Sequence, residues 1–100
     1  MKLHYSLIIS DEAYFDTLDA YLWYNTVRDR LGDEFEHCLE KELLRLIENP
    51  EQFQIKYKSI RVAYLEKFPY GVHYLIQDNF IKVVAVFHTS RNPQNWKNRL

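Results

Sequence analysis

Two glycines and three prolines in one hundred residues leave little room for a loop-built or low-complexity chain. The single cysteine, Cys38, excludes an internal disulfide framework, so folding needs no oxidising compartment. No apolar run approaches the roughly 20 residues that cross a bilayer. The opening MKLHYSLIISDEAY carries no signal-peptide pattern, so a cytoplasmic chain without a membrane partner is expected. Gly32 and Gly71 stand alone, which excludes a glycine-rich phosphate loop. Histidines at 4, 37, 73 and 88 have no ligand spacing, so neither a metal nor another cofactor is expected.

What is present is the material of a core. The chain is 47% hydrophobic and 16% aromatic, enough for one domain spanning residues 1–100. Its net charge of −1 hides a division. Residues 1–50 carry 5 Lys/Arg against 11 Asp/Glu, whereas residues 51–100 carry 8 against 3. An acidic face and a basic face follow, the second suited to nucleic acid or an acidic partner, unless the charges merely solvate the surface.

Residues 3–9 alternate loosely as a first strand. Ser10, Asp11 and Glu12 then form a helix start, with a capping hydroxyl and acids at the positive end of the dipole. Tyr14, Leu18, Tyr21 and Leu22 fall on one helix face, which predicts a one-sided helix running to about Arg30. Asp33 and Glu36 have the spacing of a capping box for a second helix. Its stripe is Leu31, Phe35, Cys38, Leu39, Leu43, Leu46 and Ile47, and Asn49-Pro50 stops it. Cys38 belongs to that stripe and reads as a small core residue. A polar connector (51–58) precedes three strands, 60–67, 71–77 and 80–88, with Asp78-Asn79 as a two-residue hairpin turn. The last strand is apolar on both faces and should be central. The expected fold is α+β, in the order β-α-α-β-β-β, an antiparallel sheet with a helical hairpin packed on one face. The other face is expected to stay partly open, with the basic residues around it.

Arg61, Lys67, His73, His88 and Arg91 come from the neighbouring strands, interleaved with Tyr64, Tyr70 and Tyr74. Arginine forks hold phosphate, aromatic rings stack on unpaired bases, and a histidine can move a proton. The same residues also suit a solvated, tyrosine-packed sheet. Ser90 beside His88 makes no triad, since nucleophile and base are defined in space and not by adjacency.

Three stretches carry a resemblance: AYLWYNTVRDRLGDEFEHCLEKELLRLIENPEQF, RVAYLEKFPYGVHYLI and VVAVFHTSRNPQNW. In this order, with Leu31-Gly32, Phe68-Pro69-Tyr70 and the His-x-x-Arg-x-Pro set of His88, Arg91 and Pro93, the chain resembles the RelE/ParE superfamily. These are bacterial toxins of type II toxin–antitoxin, or plasmid-stabilisation, systems. The resemblance implies a growth-inhibiting toxin neutralised by a cognate antitoxin in a hetero-oligomer. ParE-type members inhibit DNA gyrase, and RelE-type members cleave mRNA on the ribosome. Arg91 matches the arginine that RelE-type enzymes set on the scissile phosphate. Their strand lysines match Val62 and Tyr64, a strand arginine matches Gly71, and their C-terminal tyrosine has Trp96 near its place. The chain is therefore expected to be nearer ParE and to bind a protein target through Arg61, Lys67, Tyr70, His88 and Arg91. A ribonuclease using Arg61, His88 and Arg91 is the alternative, and a non-toxic binding domain the third reading.

Overall fold

The computed structural model describes residues 5–91 and Arg99. Strand β1 (Ser6–Ile9) leads into helix α1 (Asp11–Val27) and helix α2 (Leu31–Glu48). A short 3-10 turn (Pro50–Gln52) follows, then β2 (Ile55–Tyr57), β3 (Ile60–Tyr64), β4 (Tyr70–Gln77) and β5 (Phe80–His88). The strands lie in the order β1-β5-β4-β3-β2. The expected α+β class holds, with two additions. The polar connector contributes the short strand β2 at one edge, and β1 joins β5 in parallel, so the sheet is antiparallel except at that pair. A parallel pairing needs a crossover, which here is the helical hairpin itself.

Local chemistry explains the junctions. Ser10 caps α1, its hydroxyl accepting from Ala13 N at 3.1 Å. The capping box does not form. Helix α2 starts two residues earlier than Asp33, at Leu31, and Arg30 turns the corner with φ 67° and no side-chain cap. The work passes to Asn25, whose Oδ1 accepts from Gly32 N at 2.7 Å. The two helices touch at this joint: a Cβ on Gly32 would press into Tyr21 O and stand 2.7 Å from Asn25 Oδ1. Asp78 takes φ 54° in the two-residue turn that pairs Gln77 with Phe80.

The α2 stripe packs as expected, with Phe35, Leu39 and Leu46 buried and Leu31, Cys38, Leu43 and Ile47 beside them. Helix α1 does not. Its contacts with the core are Ala13, Ala20 and Tyr24, at 0%, 3% and 8% exposure. Tyr14, Leu18 and Leu22 of the expected core stripe face outward instead, and Tyr14 and Leu22 are more than half exposed. Ala13 and Ala20 let the α1 backbone lie close on β5, while Tyr24 on the same face packs against Phe35, Phe68 and Tyr70.

Between the helices and the sheet, Tyr24, Phe35, Phe68 and Tyr70 pack ring against ring, with centroids 4.9–6.0 Å apart. Tyr74, fully buried, donates to Pro50 O at 2.6 Å and ties the sheet to the end of α2. Burial pushes its phenol up to about 12. The opposite sheet face, expected to be partly open with basic residues around it, has an apolar patch of its own. It carries a second buried cluster, Ile60, Val84, Ala85 and Phe87, with Tyr57 and Leu75 against it. Replacing Gly32 by alanine should destabilise the chain by roughly 1–3 kcal/mol through overpacking, read as a lower urea midpoint with an unchanged slope.

Candidate functional site

Strand β1 covers β5 only as far as Val83, whose carbonyl accepts from Ser10 N at 3.0 Å. Beyond it the β5 edge has no strand neighbour among the described residues, and side chains take over. Asp16 reaches down from α1 to accept from Val86 N at 3.0 Å. Its carboxylate also receives both guanidinium arms of Arg99, at 2.5 and 3.0 Å. Arg99 in turn donates to Val84 O at 3.2 Å, lies 3.5 Å from Glu12 and covers the Phe87 ring at 4.7 Å. The Asp16 and Arg99 side chains are about nine-tenths buried, and the hydrogen bonds that Arg99 donates to Asp16 raise its pKa further.

Next to this clasp runs a groove of about 320 Å³, lined by Asp19, Ala20 and Trp23 of α1 and by Tyr70, Val86, His88 and Arg91. Three of the five candidate residues meet here. Tyr70 and His88 are direct partners across β4 and β5, with ring centroids 5.2 Å apart. His88 Nδ1 accepts from Ser90 N at 3.1 Å and lies 2.8 Å from the Ser90 hydroxyl, which places its ring proton on Nε2. Arg91 donates its backbone N–H to His88 O at 2.9 Å and stacks its guanidinium 4.3 Å over the Phe87 ring. Burial, followed by the nearby Tyr24 and Asp16, raises the Tyr70 phenol, so it stays protonated at neutral pH.

The other two candidates lie elsewhere. Arg61 points to the helix side of the sheet and donates to Glu51 O and Phe53 O at 3.2 and 2.6 Å, holding the connector in place. Lys67 lines a separate shallow hollow with His37 and Cys38 of α2 and with Arg28, Asp29 and Arg30 at the joint between the helices. Gly71, where the RelE pattern has an arginine, is crowded: a Cβ there would stand 2.7 Å from Val62 Cγ1. His73 is on the second sheet face, between Tyr57 and Phe87. Burial lowers its pKa to about 4. The Tyr57 hydroxyl lies within hydrogen-bond distance of this neutral ring, 2.7 Å from Nδ1. Trp96 and Pro93 lie outside the described residues.

This arrangement can hold an anion at Arg91 and an apolar or aromatic group between Trp23 and Tyr70. Among the described residues the hydrogen-bond partner of the His88 ring is Ser90, and Asp16 is engaged by Val86 and Arg99. Sequence reading missed Asp16, Arg99 and Trp23. The one usable signal was Asp16, an acid on the α1 flank bordering Ala13 and Ala20.

Two stability effects follow. Asp16→Ala should cost roughly 2–4 kcal/mol, since it strands a mostly buried guanidinium and the Val86 N–H. Arg99→Gln should cost less, because Asp16 keeps Val86, and urea unfolding of both variants checks the order. His73 binds its proton more weakly folded, at about 4, than unfolded, at 6.5. The stability it contributes is therefore complete above pH 6.5 and declines as pH falls toward 4. His73→Gln should flatten that part of a urea-midpoint profile.

Comparison with known proteins places this geometry. No curated protein matches the chain significantly. Among solved structures, one from the chromosomal ParDE TA system of P. aeruginosa superposes with a TM-score of 0.78 at 14% identity. The match covers 87% of this chain and 98% of that one, a likeness of fold. The family model described as ParE toxin of type II toxin-antitoxin system, parDE, matches residues 7–93. That span runs from β1 through both helices and the Phe-Pro-Tyr turn to the His88–Pro93 signature, and the chain belongs to the ParE toxin family of type II toxin–antitoxin systems.

Proposed function

We propose that the chain arrests growth by binding a protein target, DNA gyrase foremost, and that a cognate antitoxin neutralises it. The observation that carries this is the dispersal of the candidate cations. Phosphodiester cleavage needs charge-stabilising groups gathered around one phosphate, and here Arg61 is spent on the backbone carbonyls of the connector. Lys67 lines a different hollow, at the joint between the helices, and a Cβ on Gly71 would press into Val62. What is gathered instead is a contact surface. Tyr70, His88 and Arg91 line one groove, and large apolar side chains of α1 stand exposed beside it.

Arg91 with His88 is the observation that keeps the ribosome-dependent mRNA endonuclease as a second reading. In that mechanism the attacking 2′-hydroxyl would lose its proton to His88, once a tautomer change frees Nε2 of its own proton, or to a neighbouring base, and Arg91 would stabilise the non-bridging oxygens.

Inducible expression in a bacterium without the antitoxin, with DNA and protein synthesis pulse-labelled in parallel, separates the two. DNA synthesis should fall first, and Arg91→Ala should weaken the arrest. Protein synthesis falling first would move the ribosome to the front. Undisturbed growth would leave only a binding domain.

A further inference from the structure

Helix α2 carries one acid where its core stripe calls for an apolar residue. Phe35, Leu39, Glu42 and Leu46 follow the 3–4 spacing of the buried side, and Glu42 is 3% exposed. A carboxylate in that place costs free energy unless its oxygens are satisfied. One of them is: Oε1 accepts from Arg45 Nη1 at 3.1 Å. Oε2 is buried and has no hydrogen-bond partner among the described residues. The donors of the sheet are engaged elsewhere. The Tyr74 phenol feels the Glu42 charge, yet its hydroxyl donates to Pro50 O. Arg61 holds Glu51 O and Phe53 O.

Glu42 also borders a hollow of about 140 Å³ between α2 and the turn before β4. One water in the liquid takes up about 30 Å³, so the space exceeds a single water and suits a free amino acid. Lys41 and Arg45 of α2 line it with Glu42, and Glu66 and Lys67 of the turn face them. Lys41, Glu66 and Lys67 are exposed and make no ion pair among the described residues.

Each feature narrows the occupant. The buried oxygen needs a donor, and an ammonium group serves it best. The two unpaired lysines call for anions. Three bases, Lys41, Arg45 and Lys67, stand against two acids, Glu42 and Glu66, a surplus of one positive charge. A metal ion would meet those bases, and a simple anion would leave Oε2 unanswered. One ammonium with two carboxylates fits both the donors and the surplus.

We propose that this hollow binds an α-amino acid with an acidic side chain, of the glutamate or aspartate class. Its ammonium donates to Glu42 Oε2, and its two carboxylates meet Lys41 and Lys67. None of these residues lines the groove of Tyr70, His88 and Arg91, so the site is separate from the target surface and stands whether or not the chain arrests growth.

The test is calorimetry on the intact chain with four probes: L-glutamate, L-glutamine, glutarate and L-lysine. L-glutamate should bind at least tenfold tighter than each of the others. Glutamine lacks the second carboxylate, glutarate lacks the ammonium, and lysine reverses the charge. Glu42→Gln should weaken L-glutamate at least tenfold without weakening glutarate. Lys41→Met/Lys67→Met, both exposed positions, should bring L-glutamate down to the level of glutamine. Circular dichroism verifies that the variants fold, and if Glu42→Gln does not, the lysine pair and the glutarate contrast decide.

Glutarate or glutamine binding as tightly as L-glutamate would overturn the proposal. So would an unchanged affinity in Glu42→Gln or in the lysine pair. No binding of L-glutamate at all would overturn it too, and would leave Oε2 to water.

Discussion

Four aromatic rings, each from a different part of the chain, meet where the helical hairpin crosses the sheet. Tyr24 comes from α1, Phe35 from α2, Phe68 from the turn before β4, and Tyr70 from the start of β4. Each ring pair adds on the order of 1 kcal/mol beyond the area it buries. The cluster also replaces contacts that α1 cannot make, since Ala13 and Ala20 bring backbone close without filling space. The Phe-Pro-Tyr motif is thereby a packing device. Its proline separates two rings so that one can cap the hairpin while the other remains in the strand.

Once the cluster fixes α1 against β5, Asp16 has one place to go. It stands over the length of β5 that β1 leaves uncovered, accepts Val86 N and receives Arg99. An uncovered strand edge invites pairing with other chains. Here a carboxylate and a guanidinium answer its donors and acceptors, and the remaining groove is bordered by Trp23, Tyr70, His88 and Arg91. The helix thus has two different roles on its two sides, and the same alanines make both possible.

The sequence was legible where periodicity and burial agree. The α2 stripe, the Asp78-Asn79 turn and the apolar β5 all sit as their patterns dictate. It misled where a pattern has two physical solutions. The Tyr14–Leu18–Tyr21–Leu22 face is real, but nothing in spacing alone tells an inward stripe from an outward one. The three-residue strand β2 was too short to show a period. Arg61 looked like a free cation because the carbonyls it serves lie eight and ten residues earlier, in a connector with no signature. The family resemblance reached further than the chemistry. Order of elements and motif spacing are global properties, whereas the Asp16–Arg99 clasp joins positions 83 residues apart and leaves no local trace.

The parallel pairing of β1 with β5 has a consequence for how the molecule is made. Strand β1 leaves the ribosome well before its hydrogen-bonding partner β5, which also pairs with β4. The hairpin can coil early, but its apolar inner side has no finished sheet to settle on until residues 80–88 have emerged. Such long-range closure is slow, and its intermediates expose unpaired edges. A truncated or stalled product therefore lacks the β5 wall of the groove, and with it His88 and Arg91. Whatever the finished chain binds through that groove, its nascent form cannot grip in the same way.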